Sequence, residues 1–111
     1  MHYSKDKIKR NIKPDASTHV IDYGWNISDG CDAIFVNIDG YHGRYINSLS
    51  TKNYFVVSGE IQFEVEGERT KVTESEIFSI PPNKAHSMQG MAKIVEICSP
   101  PFNPETEKEI K

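Results

Sequence analysis

Imidazole is the side chain best suited to move protons near neutral pH, because its ordinary pKa lies at about 6.5. Four histidines are present, His2, His19, His42 and His86. His42 follows Asp39-Gly40-Tyr41, a turn-like run, and stands two residues before Arg44. His86 closes Ile80-Pro81-Pro82-Asn83-Lys84-Ala85 and keeps polar company with Lys84 and Ser87. The two cysteines, Cys31 and Cys98, form no C-x-x-C, so they indicate neither a zinc ribbon nor a disulfide framework. In a reducing compartment both are expected to be small packing residues.

The elements that must position these groups read as short strands. Gly, Asp-Gly and Pro punctuation recurs at Gly24, Asp29-Gly30, Asp39-Gly40, Gly59, Gly67, Pro81-Pro82, Gly90 and Pro100-Pro101. Between these lie strand-like runs over 18–23, 33–38, 41–48, 53–58, 61–66, 70–72, 77–80 and 92–97. Ile61-Gln62-Phe63-Glu64-Val65-Glu66 alternates apolar and polar residues, which buries one face and wets the other. Glu66-Gly67-Glu68 supplies a hairpin turn into Arg69–Val72. Trp25 and Phe102 are expected to pack the ends of the domain or an intersubunit face. No segment shows a helical period, although residues 106–111 could form a last helical turn or fray. Many short strands at this spacing predict an all-β sandwich or barrel.

The run Asn53-Tyr54-Phe55-Val56-Val57-Ser58-Gly59-Glu60, its following hairpin, and Glu74-Ser75-Glu76-Ile77-Phe78-Ser79-Ile80-Pro81-Pro82-Asn83-Lys84-Ala85-His86 together resemble the cupin superfamily of small jelly-roll β-barrels. The resemblance covers about residues 33–102. Gly40 and Gly59 match the two ends of the family's first motif, G-x5-H-x-H-x3–4-E-x6-G. Pro81 and His86 match the second, G-x5-P-x-G-x2-H-x3-N, in which Ser75 and Asn83 replace glycines and Gly90 replaces the asparagine. Ser99-Pro100-Pro101-Phe102 also resembles the ending of one group of small cupins associated with sugar metabolism. The implied architecture is a cupin-type jelly-roll β-barrel over residues 17–104, with a basic N-terminal arm (1–16) and a C-terminal tail (105–111).

In that family a metal is held by the two His and the Glu of the first motif and the His of the second. Here the shorter spacing puts Ile46 and Ser48 at the first two His positions, and the longer one puts Tyr45 and Asn47 there. Lys52 takes the Glu position, and only His86 remains. One imidazole holds a divalent ion weakly, since catalytic sites use about three protein ligands. The resemblance with these departures therefore implies no metal cofactor and no metal-dependent dioxygenase chemistry.

With the family's inward parity, Lys52, Tyr54 and Val56 point into the barrel. On the shorter spacing His42, Arg44, Ile46 and Ser48 do so as well, while a bulge would reverse that face. Arg44 and Lys52 would then converge on a carboxylate or phosphate, with Tyr45 and Asn47 as further ligand-binding candidates. His86 and His42 become candidate bases, and Tyr54 (or Tyr45) a candidate acid. The same residues have a plainer reading. Arg44 and Lys52 could be solvated on the outer face, Tyr54 could be core, His42 a turn residue, and His86 only a hydrogen-bonding partner of its own loop. His2 and His19 fall outside the motif region and are expected to be exposed.

Three functions remain open on the sequence. One is a binding cupin for an acidic or phosphorylated sugar-like ligand, without turnover. Another is a metal-independent epimerase or isomerase of a sugar or sugar nucleotide, which needs a base near neutral pKa and an opposing acid. The third is an atypical metal cupin using His86 and His42 with a Tyr or Asn oxygen.

Composition narrows the setting. The 111 residues are 37% hydrophobic and carry a formal net charge of −3. Residues 1–13 hold five of the 13 Lys+Arg against one of the 16 Asp+Glu, so the rest of the chain carries eight positive and fifteen negative charges. An acidic body repels phosphate backbones and argues against a nucleic-acid-binding domain. No apolar run reaches the ~18–20 residues of a membrane span, and Met1–Ile8 lacks the apolar core of a signal peptide. The expectation is a cytoplasmic protein with a small-molecule ligand, no membrane or nucleic-acid partner, and a homodimeric state.

Overall fold

Alternation of buried and exposed residues dominates the chain because each strand packs one face inward. A computed structural model describes residues 19–27 and 30–110, and the basic arm expected over residues 1–16 lies outside them. The strands are β1 (His19–Ile27), β2 (Cys31–Asn47), β3 (Thr51–Val65), β4 (Glu68–Thr73), β5 (Ile77–Ile80), β6 (His86–Ser99) and β7 (Glu107–Glu109). They form one antiparallel sheet in the order β1-β2-β6-β3-β4, with β5 added to β3 and β7 to β2. Among the described residues no helix is long and apolar enough to cross a membrane.

Two expected strand pairs are in fact single long strands. The sequence runs 33–38 and 41–48 merge into β2, and 53–58 and 61–66 merge into β3. The glycines between them bend the strand rather than end it. Gly40 pairs with Gly90, and Gly59 with Ala92, so the three central strands turn a corner at nearly the same level. All three glycines have positive φ (112°, 84° and 150° for Gly40, Gly59 and Gly90). A Cβ on Gly59 would lie 2.2 Å from the Met91 carbonyl oxygen, and one on Gly90 would lie 2.5 Å from that of Glu60. Only glycine fits where two backbones approach this closely.

The corner folds the sheet over itself and closes the core. Tyr54, from the first half of β3, meets Phe63 from its second half at 5.1 Å between ring centroids, and Phe63 stacks on Phe78 of β5 at 4.6 Å. Ile34, Val36, Ile38, Val56, Ile61, Met88 and Ile94 fill the space between the halves. Each such side chain contributes about 1.5–3 kcal/mol relative to exposure. The expected hairpin forms at Glu66-Gly67, where φ values of 50° and 85° join paired Val65 and Glu68. That geometry suits a two-residue turn with φ positive at both positions.

The C-terminus departs from the expected tail. A 3-10 turn at Pro104–Thr106 leads into β7, which pairs Glu107, Lys108 and Glu109 with Asn47, Ile46 and Tyr45 of β2. Asp32 fastens the approach to this strap. Its Oδ2 accepts from the Phe102 backbone N–H at 3.0 Å, and its Oδ1 from the Asn26 amide at 2.9 Å.

Candidate active site

Three central strands send a polar layer into the barrel, at the end away from the glycine corner. On β2 the inward residues are Asp32 and Ile34, on β3 Lys52, Tyr54 and Val56, and on β6 Ile94, Glu96 and Cys98. Lys52 sits opposite Cys98, and Tyr54 opposite Glu96. The folded-over half adds His86 from the start of β6. Exposure is 4% for Lys52, 2% for Tyr54, 6% for Glu96, 3% for His86 and 0% for Cys98. Burying ionisable groups opposes folding unless they are paired.

The pairing is visible. Lys52 Nζ donates to Glu107 Oε1, and the Asn47 side-chain amide donates to the same oxygen at 3.2 Å. The Phe102 ring lies with its centroid 5.9 Å from Nζ. The Cys98 thiol donates to Glu96 Oε2 at 3.0 Å. Burial by itself would lower the Lys52 pKa, but the charges of Glu96 and Glu107, with the Glu107 hydrogen bond, outweigh it and hold the ammonium above its ordinary value. Burial raises the Tyr54 phenol well above its usual value, and the neighbouring Glu96 charge adds to the effect. Tyr54 therefore stays protonated across the physiological range, as a donor.

His86 behaves oppositely. Burial and then the Lys52 charge lower its pKa, against smaller opposing effects of the Lys84 carbonyl, Glu107 and Glu96. The imidazole is neutral at pH 7. Its Nδ1 lies 3.0 Å from the Lys84 carbonyl oxygen. A carbonyl can only accept, so Nδ1 carries the proton and Nε2 keeps its lone pair.

The structure separates the other expected site residues. The β2–β6 register shifts between His42 and Tyr45, and this irregularity reverses the side-chain parity. Arg44 is consequently exposed rather than inward, beside Glu64, Glu66, Gly67 and Ala85 at a surface cleft of about 280 Å³. It does not converge with Lys52, whose own charge is directed at Glu107. Ser48 is exposed as well, whereas Asn47 is buried. Asn47 holds the turn into β3, since its Oδ1 accepts from the Leu49 and Ser50 backbone N–H groups at 2.9 and 2.7 Å. His42 is buried and stacks on Tyr45 at 5.0 Å between ring centroids, and Tyr45 in turn pairs across the sheet with His86.

Glu96 and Glu107 were missed by the sequence reading. For Glu96 a signal existed: it occupies the inward parity of Ala92, Ile94 and Cys98, so an acidic residue there breaks an apolar row. Glu107 had none, because its position depends on β7 joining β2.

A metal fits these residues poorly. Among the described residues no group of three or more His, Cys, Asp or Glu could hold a metal ion. Where the cupin motif would supply a carboxylate, this chain places the Lys52 ammonium.

No protein-family model and no curated protein matches the chain. Solved structures match in fold. The Streptomyces nucleoside dehydratase Pac13 superposes with a TM-score of 0.85 at 20% identity, covering 100% of this chain and 91% of that one. A cupin superfamily protein from Desulfitobacterium hafniense gives 0.64 at 15% identity, over 79% of this chain and 83% of that one. The chain therefore has the fold of a small cupin-type domain. KdgF from a Halomonas species is a further fold neighbour, with a TM-score of 0.65 at 18% identity over 78% of this chain and 80% of that one. At such identities the likeness concerns the fold, and the polar layer inside this barrel must be read from its own side chains.

Proposed function

We propose that the barrel interior binds a small sugar-like molecule and performs acid–base chemistry beside its carbonyl group. The observation that carries this reading is the clustering of Lys52, Tyr54, Glu96, Cys98 and His86 inside one end of the barrel, each at most 6% exposed. A core selected only for stability would fill that volume with apolar side chains, whereas perturbed ionisable groups gather where chemistry is done.

Roles follow from the proton positions. His86 Nε2 is the base, being neutral with a lone pair, and the Tyr54 hydroxyl is the acid. In the reaction, His86 takes the proton from the carbon next to a carbonyl, the electron pair moves onto the carbonyl oxygen, and Tyr54 protonates that oxygen. Return of a proton to the opposite face of the carbon gives an epimer. Departure of a β-hydroxyl as water gives a dehydrated product from the same intermediate. Lys52, fixed by Glu107, places a positive charge beside the developing oxyanion. The fold neighbour Pac13 is described as a nucleoside dehydratase and its variants were solved with uridine, which supports a ligand built on a sugar or nucleoside.

The test is solvent exchange. In deuterium oxide, the protein should exchange the α-proton of a carbonyl-bearing sugar or nucleoside, and His86→Asn should lower that rate by at least about 100-fold, in line with general-base catalysis. A ligand that binds and leaves with no exchange would make the cupin a binding module. The Lys52 ammonium, buried where the cupin motif would supply a carboxylate, is the observation that favours that second reading.

A further inference from the structure

We infer that the interior site accepts uncharged, hydroxyl-rich molecules and rejects their phosphorylated forms, an inference that rests on the small-molecule reading above. Among the described residues around the polar layer, the cation is Lys52, and it faces the carboxylates of Glu107 and Glu96. His86 is neutral, with its Nδ1 proton donated to the Lys84 carbonyl. Arg44, the cation that could have tipped the balance, is exposed outside with Glu64 and Glu66. With Asp32, buried opposite Cys98, the layer holds one cation against three carboxylates. It lacks the surplus positive charge that a phosphate monoester needs in a desolvated site.

The acceptors suit hydroxyl groups instead. Glu107 Oε1 takes both Lys52 and Asn47, which leaves Oε2 available to a ligand hydroxyl. The Glu107 side chain is 18% exposed against 5% for that of Lys52, so the carboxylate stands on the outer side of the pair, where an arriving ligand meets it first. A carboxylate at that position attracts hydroxyl donors and repels phosphate before it is desolvated.

Uridine and uridine 5′-monophosphate are the probes, titrated calorimetrically into the full chain. Uridine should bind at least about 100-fold tighter than the monophosphate at physiological salt. Raising the salt about tenfold should tighten the monophosphate and leave uridine unchanged, because screening weakens only the repulsion. Glu107→Gln should cut the preference to below about tenfold, and Glu96→Gln should act in the same direction if the first variant does not fold. Equal or tighter binding of the monophosphate to the wild type overturns the charge selection while leaving a small-molecule site in place. Binding of neither compound to folded protein removes the nucleoside class and this inference with it. Proton exchange reports separately on the chemistry, so the two failures are distinguishable.

Discussion

One oxygen, Oε1 of Glu107, receives both the Lys52 ammonium and the Asn47 amide, and so ties β7 to the buried interior across a separation of 55 residues. The strap and the site are thus one electrostatic unit. Lys52 is tolerated inside the barrel because β7 delivers a carboxylate to it, and β7 is held in place partly by that lysine.

Removing one member of the pair should therefore cost more than removing both. Lys52→Met leaves two carboxylates without their cation and is expected to lower stability by about 3 kcal/mol. Lys52→Met combined with Glu107→Leu should recover at least half of that loss. Urea denaturation of the single and double variants measures the coupling. A double variant as unstable as the sum of the singles would show that the two residues act independently.

Glycine at the corner is expected to be far less replaceable than glycine in the hairpin. Gly59→Ala drives a Cβ into the Met91 carbonyl at 2.2 Å, on a backbone with φ of +84°. Gly67→Ala has the same kind of φ, +85°, but nothing within 4 Å. The hairpin change should cost about 1 kcal/mol from backbone strain alone, and the corner change at least about 3 kcal/mol, or folding itself. Thermal melts of the two variants side by side decide this, and similar melting temperatures would contradict it.

The His86 pKa is lowered by burial and by Lys52. The folded protein thus binds fewer protons than the unfolded chain as pH falls through about 6.5, the ordinary value. Its contribution to stability is complete above that pH and is lost as pH falls towards the depressed folded value. Wild type should lose more stability than His86→Asn between about pH 7.5 and 5.5. The asparagine amide can still donate to the Lys84 carbonyl, so the comparison isolates the charge. Parallel profiles for the two proteins would mean that this histidine carries no proton linkage.

Tyr54 should escape alkaline titration in the folded state, since burial and then Glu96 raise its phenol well above the usual value. The tyrosinate absorbance gained between about pH 9 and 11 is expected to be the same in wild type and Tyr54→Phe. In denaturant the wild type should gain one extra equivalent. A smaller folded-state amplitude in Tyr54→Phe would place this hydroxyl in contact with solvent.

Much of this architecture was legible because strand alternation and glycine spacing are local signals. The perfect alternation of Ile61–Glu66 placed Ile61 and Phe63 in the core and the hairpin at Glu66-Gly67. Lys52 and Tyr54 could be assigned to the interior because their parity is set by an unbroken stretch of strand, whereas His86 was singled out by its place in the second motif and its polar company. Arg44 could not, since one irregularity between His42 and Tyr45 reverses every side chain after it. Such a shift depends on how β2 meets β6, a partner more than 40 residues away. Glu107 was illegible for a related reason. Its neighbourhood reads as a polar, solvated end of chain, and its buried charge partner is supplied only once the strap crosses the mouth of the barrel. Gly40 and Gly59 were recognised as punctuation, but their local sequence does not distinguish a turn that ends a strand from a corner that carries it onward.

The corner has a consequence for how the polar layer can be tuned. His86 opens β6 and Cys98 lies near its end, yet both ends reach one buried polar layer because the ribbon doubles back at Gly90. The angle of that fold sets how far the imidazole stands from the lysine on the opposite limb. The arrangement works like a pair of tweezers, with the glycines as the spring and the buried polar groups as the tips. Small changes at residues of the corner, far from either group, can open or close the gap between imidazole and ammonium.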